Sequence, residues 1–304
     1  MRIATFNLQN LRLRGTHLDG ARDGDMPRDQ GPQAARLDKA DRHLTAQVIR
    51  ETQADVLALQ EVFDQETLDH FHDNVLAPIG VNYPYRHCLP GNDGRGLDVA
   101  VLSRRPLDSV QSHASLTPAD LGLTLPGAAP DLPVFRRDVL QVETRGLTLF
   151  ICHFKAPYPD TPQVWATRHA EAQALHRLIT RRFADPAHAL WLVLGDLNEP
   201  ARRSSSKSAL APLLGDFSVN LLDRLPSEDR WSWHNTHQQL YGHPDAILAS
   251  PAVARRWPDA VPQVIRSGMS LEAHRNPGPH LAQTGHHRPH ASDHAALVLD
   301  LPGL

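Results

Sequence analysis

Apolar runs that stop on a chemically active group recur along this chain, and no other feature constrains its fold as strongly. IATF runs into Asn7, VLALQ into Glu61, LFIC into His153 and LWLVLG into Asp196. Asp245 opens DAILAS, and Asp293 and His294 stand just before AALVLDL. Short leucine- and β-branched-rich runs bounded by polar residues read as buried strands. Side chains alternate across a strand, so Asp196 and Asn198 share one side of an extended chain. If neighbouring strands bring these ends together, one polar cluster stands on a rigid core. Strand ends hold such a cluster more accurately than mobile loops do.

Between these runs the pattern changes period. Residues 34–51 carry Leu37, Ala40, Leu44 and Val48 at helical spacing, and 65–76 and 163–183 read as further helices. Strands are expected at 2–6, 55–61, 97–103, 190–194, 244–250 and 295–301. A hairpin turning at Arg145-Gly146 is expected within 134–154. Residues 15–32, 117–133 and 201–208 read as loops, and 274–294, rich in His, Pro and Gly, as irregular. Helices alternate with strands early, yet a hairpin sits mid-chain, which favours mixed sheets over a doubly wound parallel sheet. A chain of 304 residues buries a substantial core, and without a low-complexity linker it reads as one domain, 1–304.

Charge and cysteine content narrow the partners. With a net charge of −3 the chain is no polycation, so nucleic-acid binding needs a local basic patch. Cys88 and Cys152 make no disulfide framework. No signal peptide or membrane-length apolar run is visible, so a soluble, cytoplasmic monomer without membrane insertion is the expectation.

The strand-end groups are oxygen-rich. Asn, Asp and Glu suit a hard cation such as Mg²⁺, with Mn²⁺ or Ca²⁺ as alternatives. A Cys/His zinc cage is missing, and Cys152 and His153, adjacent in a strand, point to opposite faces. Histidine beside carboxylates suits phosphoryl chemistry, in which an Asp directs a water and an imidazole stabilises the leaving oxygen.

In order, TFNLQN, LALQEV, GLDVAVLSRRP, LFICHFK, LVLGDLNEP, HPDAILAS and ASDHAALV resemble the endonuclease/exonuclease/phosphatase superfamily, the DNase I-like fold, over nearly the whole chain. The resemblance implies a four-layer α/β/β/α sandwich of two packed mixed sheets and metal-dependent phosphoester hydrolysis. It implies metal ligation by Asn7 and Glu61 with Asp293 near them. It gives Asp196 the attacking water and Asn198 the phosphate or a second metal. It gives His294 the scissile phosphate with Asp245 behind it, His153 the role of second imidazole, Asp98 the support of that imidazole, and Arg137 a phosphate-facing place.

The chain also departs from the family pattern. Pro244 precedes Asp245 and Ala246 replaces an aromatic residue. The Trp-Thr-Asp-Arg element of inositol-polyphosphate 5-phosphatases is missing, and abasic-site endonucleases generally lack the counterpart of His153. The pairing of Asp98 with His153 resembles the DNase I and neutral sphingomyelinase branches. A phosphodiester in nucleic acid is the first expected substrate. A phospholipid or sphingomyelin diester, a small phosphate monoester, and a silent binding scaffold are the alternatives.

Other segments admit two readings each. GNDGRG, 91–96, either brings Asn92 and Arg95 to a phosphate or is a hairpin turn. ARRSSSKS either grips a phosphate backbone or is a mobile loop. His280, His286, His287 and His290 either bind a transition metal or lie in a solvated loop. Trp231, Trp233 and Tyr241 either stack on substrate or fill the core.

Overall fold

The computed structural model describes residues 1–24, 26–126, 128–199 and 208–304. Two six-stranded sheets are packed face to face. The first runs Gln263–Ile265, Ala296–Asp300, Arg2–Leu11, Val56–Val62, Asp98–Ser103, Tyr85–Cys88. The second runs Val219–Asn220, Asp245–Ala249, Trp191–Asp196, Leu147–His153, Val139–Thr144, Ser109–Ser112. Each has one parallel pair, Arg2–Leu11 with Val56–Val62 and Leu147–His153 with Trp191–Asp196. The remaining pairings within both sheets are antiparallel. The expected four-layer sandwich of mixed sheets is the observed architecture.

Alternation along the strands builds the layers. Ile3, Val56, Val99, Val101, Leu149, Ile151, Leu192, Leu194, Ile247 and Leu297 form the core between the sheets. Their neighbours of opposite phase face outward. Ala4, Phe6, Leu57 and Leu59 pack with Leu44, Val48 and Ile49 of the helix Asp38–Thr52. Phe150, Trp191, Val193 and Leu248 pack with Leu175 and Ile179 of the helix Pro162–Arg182. Each fully buried Leu or Ile contributes about 1.5–3 kcal/mol, most of it offset by the entropy of ordering the chain.

Local chemistry fixes the element ends. Thr161 caps the helix Pro162–Arg182 by accepting from Val164 N–H, a proline stands in the first turn, and Arg181 and Arg182 complement the C-terminal dipole. Arg145 and Gly146 take φ of 51° and 77°, the left-handed pair that a two-residue hairpin requires.

Three expectations are corrected. Residues 134–138 are not strand: the hairpin begins at Val139, and Arg137 and Asp138 turn into buried polar contacts. The edge strands Tyr85–Cys88, Ser109–Ser112, Val219–Asn220 and Gln263–Ile265 were not anticipated, being too short to show a period. The His-rich segment is irregular and exposed over much of 274–286, including His286, but its end is buried. Buried Arg288 pairs with Asp38 and Asp41 of the first long helix, and His290 is buried beside it. Among the described residues no helix is long and apolar enough to cross a membrane. Cys88 and Cys152 are buried and unpaired.

Candidate active site

The phase that buries Ile151, Leu194 and Ile247 between the sheets carries His153, Asp196 and Asp245 at the same ends of three adjacent strands. Asp196 pairs with His153 on one side and Asp245 on the other. Gly195 makes the junction possible. Its φ is 132°, and a Cβ there would lie 2.1 Å from the Cys152 carbonyl oxygen.

The first sheet reaches the same place differently. The ladder between Arg2–Leu11 and Val56–Val62 is irregular between Asn7 and Leu11, and Glu61 is bulged with φ at 63°. Gln9 and Asn10 are also left-handed, at 48° and 59°. These bends aim the Glu61 carboxylate back at the first strand. Asn10 N–H donates to its Oε2 at 2.8 Å and Asn7 Nδ2 to its Oε1 at 3.3 Å.

The two sheets meet at Asp196 Oδ2. Asn7 Nδ2 donates to it at 3.0 Å, His153 Nε2 lies 3.6 Å away and His294 Nε2 3.9 Å away. Glu61 Oε1 is 4.0 Å from His153 Nε2. His294 Nδ1 donates to Asp245 Oδ2 at 2.9 Å, and that oxygen also accepts from Ser232 Oγ at 2.6 Å. Asn198, left-handed at φ 54°, folds back so that its N–H donates to Asp196 Oδ1 and its Nδ2 to the Phe154 carbonyl.

The electrostatics divide the two imidazoles. Burial, followed by the charges of Arg137, His294 and Arg95, holds His153 well below the ordinary histidine pKa. Burial works against charge on His294 too, but the charges of Asp245 and Asp293, the Asp245 hydrogen bond and Asp196 raise it well above the ordinary value. Burial pushes the Asp196 carboxyl up to about 7; Asp245 and Glu61 add to the rise while His294 opposes it. At neutral pH the pocket thus sets a cationic imidazole and a neutral one against a carboxylate of raised proton affinity.

Not every expected residue joins this cluster. Asp98 is captured by Gly91 N–H at 2.9 Å, and His153 Nδ1 has no hydrogen-bond partner. The cause is strand phase: Asp98 falls with Ala100 and Leu102, opposite to Val99 and Val101 of the inter-sheet core. Asn92 spends its amide N–H₂ on the carbonyls of Ala114 and Phe135, so it staples loops. Arg95 is exposed and paired with Asp93. Arg137 lies buried beneath, 2.9 Å from Asp93, and donates to the Phe154 carbonyl, the acceptor that Asn198 also uses. Asp293 stands at the edge, accepting from Trp233 Nε1 at 3.0 Å, while its N–H donates to Gln9 Oε1.

Sequence reasoning missed Ser232, which shares Asp245 with His294, and Gln9, which ties Asp293 to His290. It left Trp233 between two uses, and the structure makes it the donor that holds Asp293 and bridges His294. Only proximity in space marks these three. Residues 200–207, which include most of ARRSSSKS, lie outside the described residues.

A cation fits the site. Asp196 and Asp245 offer carboxylate oxygens within 4.8 Å of one another, and Glu61 adds a partly exposed carboxylate beside Asp196. Burial is the main cause of the raised Asp196 pKa, and the charges of Asp245 and Glu61 add to it; a divalent ion relieves that crowding of charge. The oxygen-rich donor set matches a hard ion. Asn7 is oriented as a donor between the two carboxylates, with its Oδ1 accepting from Gln9 N–H.

The mixed-sheet sandwich gathers carboxylates and imidazoles at one end of its strands, and comparison with known proteins gives the family. The endonuclease/exonuclease/phosphatase family model matches residues 4–294, and the chain belongs to that family, whose members hydrolyse phosphoesters. No curated protein matches in sequence. Among solved structures, the chain resembles an endonuclease/exonuclease/phosphatase protein from Beutenbergia cavernae at 18% identity and TM-score 0.60, covering 98% of this chain and 70% of that one. It resembles an AP endonuclease from Archaeoglobus fulgidus at 16% identity and TM-score 0.58, covering 99% of both. It also resembles the 3′ phosphatase NExo from Neisseria, bound to a product DNA hairpin, at 18% identity and TM-score 0.54, again covering 99% of both. At these identities the likeness is one of fold.

Proposed function

We propose that this chain is a divalent-metal-dependent phosphodiesterase that hydrolyses its substrate by in-line attack of water, with phosphodiesters of nucleic acid as the first candidate substrate. The observation that carries the proposal is the convergence on Asp196 Oδ2 of Asn7 and the two imidazoles of His153 and His294.

Asp196 orients the water and takes its proton as the new P–O bond forms. Asn7 keeps the carboxylate aimed through one oxygen and Asn198 N–H through the other. His294, held by Asp245, presents its Nε2 proton to a phosphate oxygen or to the departing alkoxide. Neutral His153 is the second hydrogen-bonding group at the phosphate. Buried Arg137 adds positive potential below. Glu61 and Asn7, with Asp293 at the rim and the Asp196 group opposite, would hold Mg²⁺ or Mn²⁺. Such an ion, when bound, supplies positive charge to the phosphate oxygens.

The test is a panel of bis-p-nitrophenyl phosphate, p-nitrophenyl phosphate, plasmid DNA, RNA and sphingomyelin, with Mg²⁺, Mn²⁺ or EDTA. Diester cleavage that requires the metal and stops in EDTA is expected, with DNA or RNA cut faster than sphingomyelin. Cleavage of the monoester alone, or turnover indifferent to EDTA, would overturn it.

A further inference from the structure

Beside Asp293, and outside the catalytic cluster, lies a small polar cavity of about 40 Å³. Its walls include Gln9, Asp23, His234, His287, His290 and Asp293, and no Lys or Arg among the described lining residues. Two imidazole nitrogens on this wall are buried without a hydrogen-bond partner, His234 Nε2 and His287 Nδ1. Native interiors rarely leave such atoms unpaired, and each orphan costs about 1–3 kcal/mol. His287 Nε2 lies 2.9 Å from both carboxylate oxygens of Asp29, so that nitrogen carries a proton, while Nδ1 has only Glu272 Oε2 near it, 3.9 Å away. His234 is held rigid by stacking on Tyr241, ring centres 4.5 Å apart. Its backbone N–H donates to the Asp293 carbonyl, which fixes the cavity to the catalytic end of the sheet. His290 Nε2 lies 2.9 Å from Gln9 Oε1, the oxygen that also accepts from Asp293 N–H, and its Nδ1 faces the His287 carbonyl.

The wall is rich in acceptors and carries two carboxylates, so it repels phosphate and attracts N–H groups. The volume admits a group of about three non-hydrogen atoms. Asp293 lines the cavity and directly precedes His294, so the cavity adjoins the end of the chain segment that carries the proposed phosphate-binding imidazole.

We propose that this cavity is a substrate subsite that takes an amino group on the organic moiety esterified to the phosphate, whether a primary ammonium of an amino alcohol or the exocyclic amine of a nucleobase. The proposal rests on the phosphodiesterase reading above. It extends that reading from bond type to substrate class.

Two matched pairs of p-nitrophenyl diesters test it, each compared by kcat/KM. One pair carries 2-aminoethyl against ethyl; the other carries deoxycytidine 5′-phosphate against thymidine 5′-phosphate. The amino-bearing member of at least one pair is expected to lead by about tenfold, the worth of one charge-assisted or well-placed hydrogen bond. Which pair shows the preference identifies the source of the amine. His234→Phe keeps the ring stack and removes its unpaired nitrogen, and His287→Phe removes the second unpaired nitrogen; in each the ratio falls toward one. Ratios near one in the wild type, or ratios that survive both variants, overturn the subsite. Failure to cleave bis-p-nitrophenyl phosphate would sink the phosphodiesterase reading by itself. The subsite would then be judged by NMR: phosphoethanolamine or deoxycytidine 5′-monophosphate shifts the His234 and His287 imidazole signals and ethyl phosphate or thymidine 5′-monophosphate does not. Equal shifts, or none, overturn it.

Discussion

The two sheets bring their functional groups to the same pocket by opposite means. In the second sheet His153, Asp196 and Asp245 stand side by side in an unbroken ladder, each the terminal residue of its strand. In the first sheet the ladder slips, and Glu61 arrives on a left-handed backbone flanked by left-handed Gln9 and Asn10. A non-glycine residue in that region costs on the order of 1 kcal/mol or more and persists only where its surroundings fix it. Here two hydrogen bonds to the Glu61 carboxylate do so. Regular pairing suits groups whose mutual spacing must not change, such as a base and an imidazole. A bulge suits a ligand that has to turn toward an ion of its own preferred geometry.

If that division of labour is right, the largest effects come from the regular sheet. Asp196→Asn and His294→Ala should each lower turnover by about a hundredfold or more at every metal concentration, with the fold intact by circular dichroism. Near-normal turnover in either folded variant would break the comparison. Glu61→Gln should act through the metal: half-saturation moves to roughly tenfold higher Mg²⁺, and much of the rate returns when Mg²⁺ is raised. A rate loss that no metal concentration repairs would move Glu61 into the proton-transfer group and erase the difference between the sheets.

The same contrast explains what the sequence disclosed. Asp196, His153 and Asp245 were legible because alternation is a property of one strand, and the apolar residues before or after each of them reveal its phase. Glu61 and Asn7 were legible as the ends of apolar runs, but the bulge that aims Glu61 back at the first strand leaves no periodic trace. Ser232, Trp233 and Gln9 were illegible as site residues because their roles depend on which backbone lies across from them. The His-rich segment misled for a related reason. Its Pro and Gly content predicts irregular backbone correctly, but composition says nothing about Asp38 and Asp41, carried on a helix far away in sequence, which pair with Arg288 and bury the end of the segment. The short edge strands were lost because two to four residues cannot display a period.

Asp98 gives the finest test, because resemblance and geometry assign it different work. Resemblance makes it the support of His153; the structure joins it to Gly91 instead. Burial pushes its carboxyl up to about 6, with Asp138, Asp93 and Asp64 adding to the rise, and burial likewise lifts Asp138 to about 6. A folded-state pKa above the unfolded one means the fold favours the protonated acid. The resulting stability is therefore complete below the ordinary carboxylate range and is lost as pH climbs through about 6. Asn imitates the protonated acid and can still accept from Gly91 N–H. Asp98→Asn should accordingly raise Tm by a few degrees at pH 8 and leave it unchanged at pH 4, with kcat within about twofold of wild type. Were Asp98 the partner that orients His153, the same substitution would cut kcat by about tenfold or more with no gain in Tm. In that event the second sheet's imidazole would lean on the first sheet after all, and its geometry would be a joint product of both ladders.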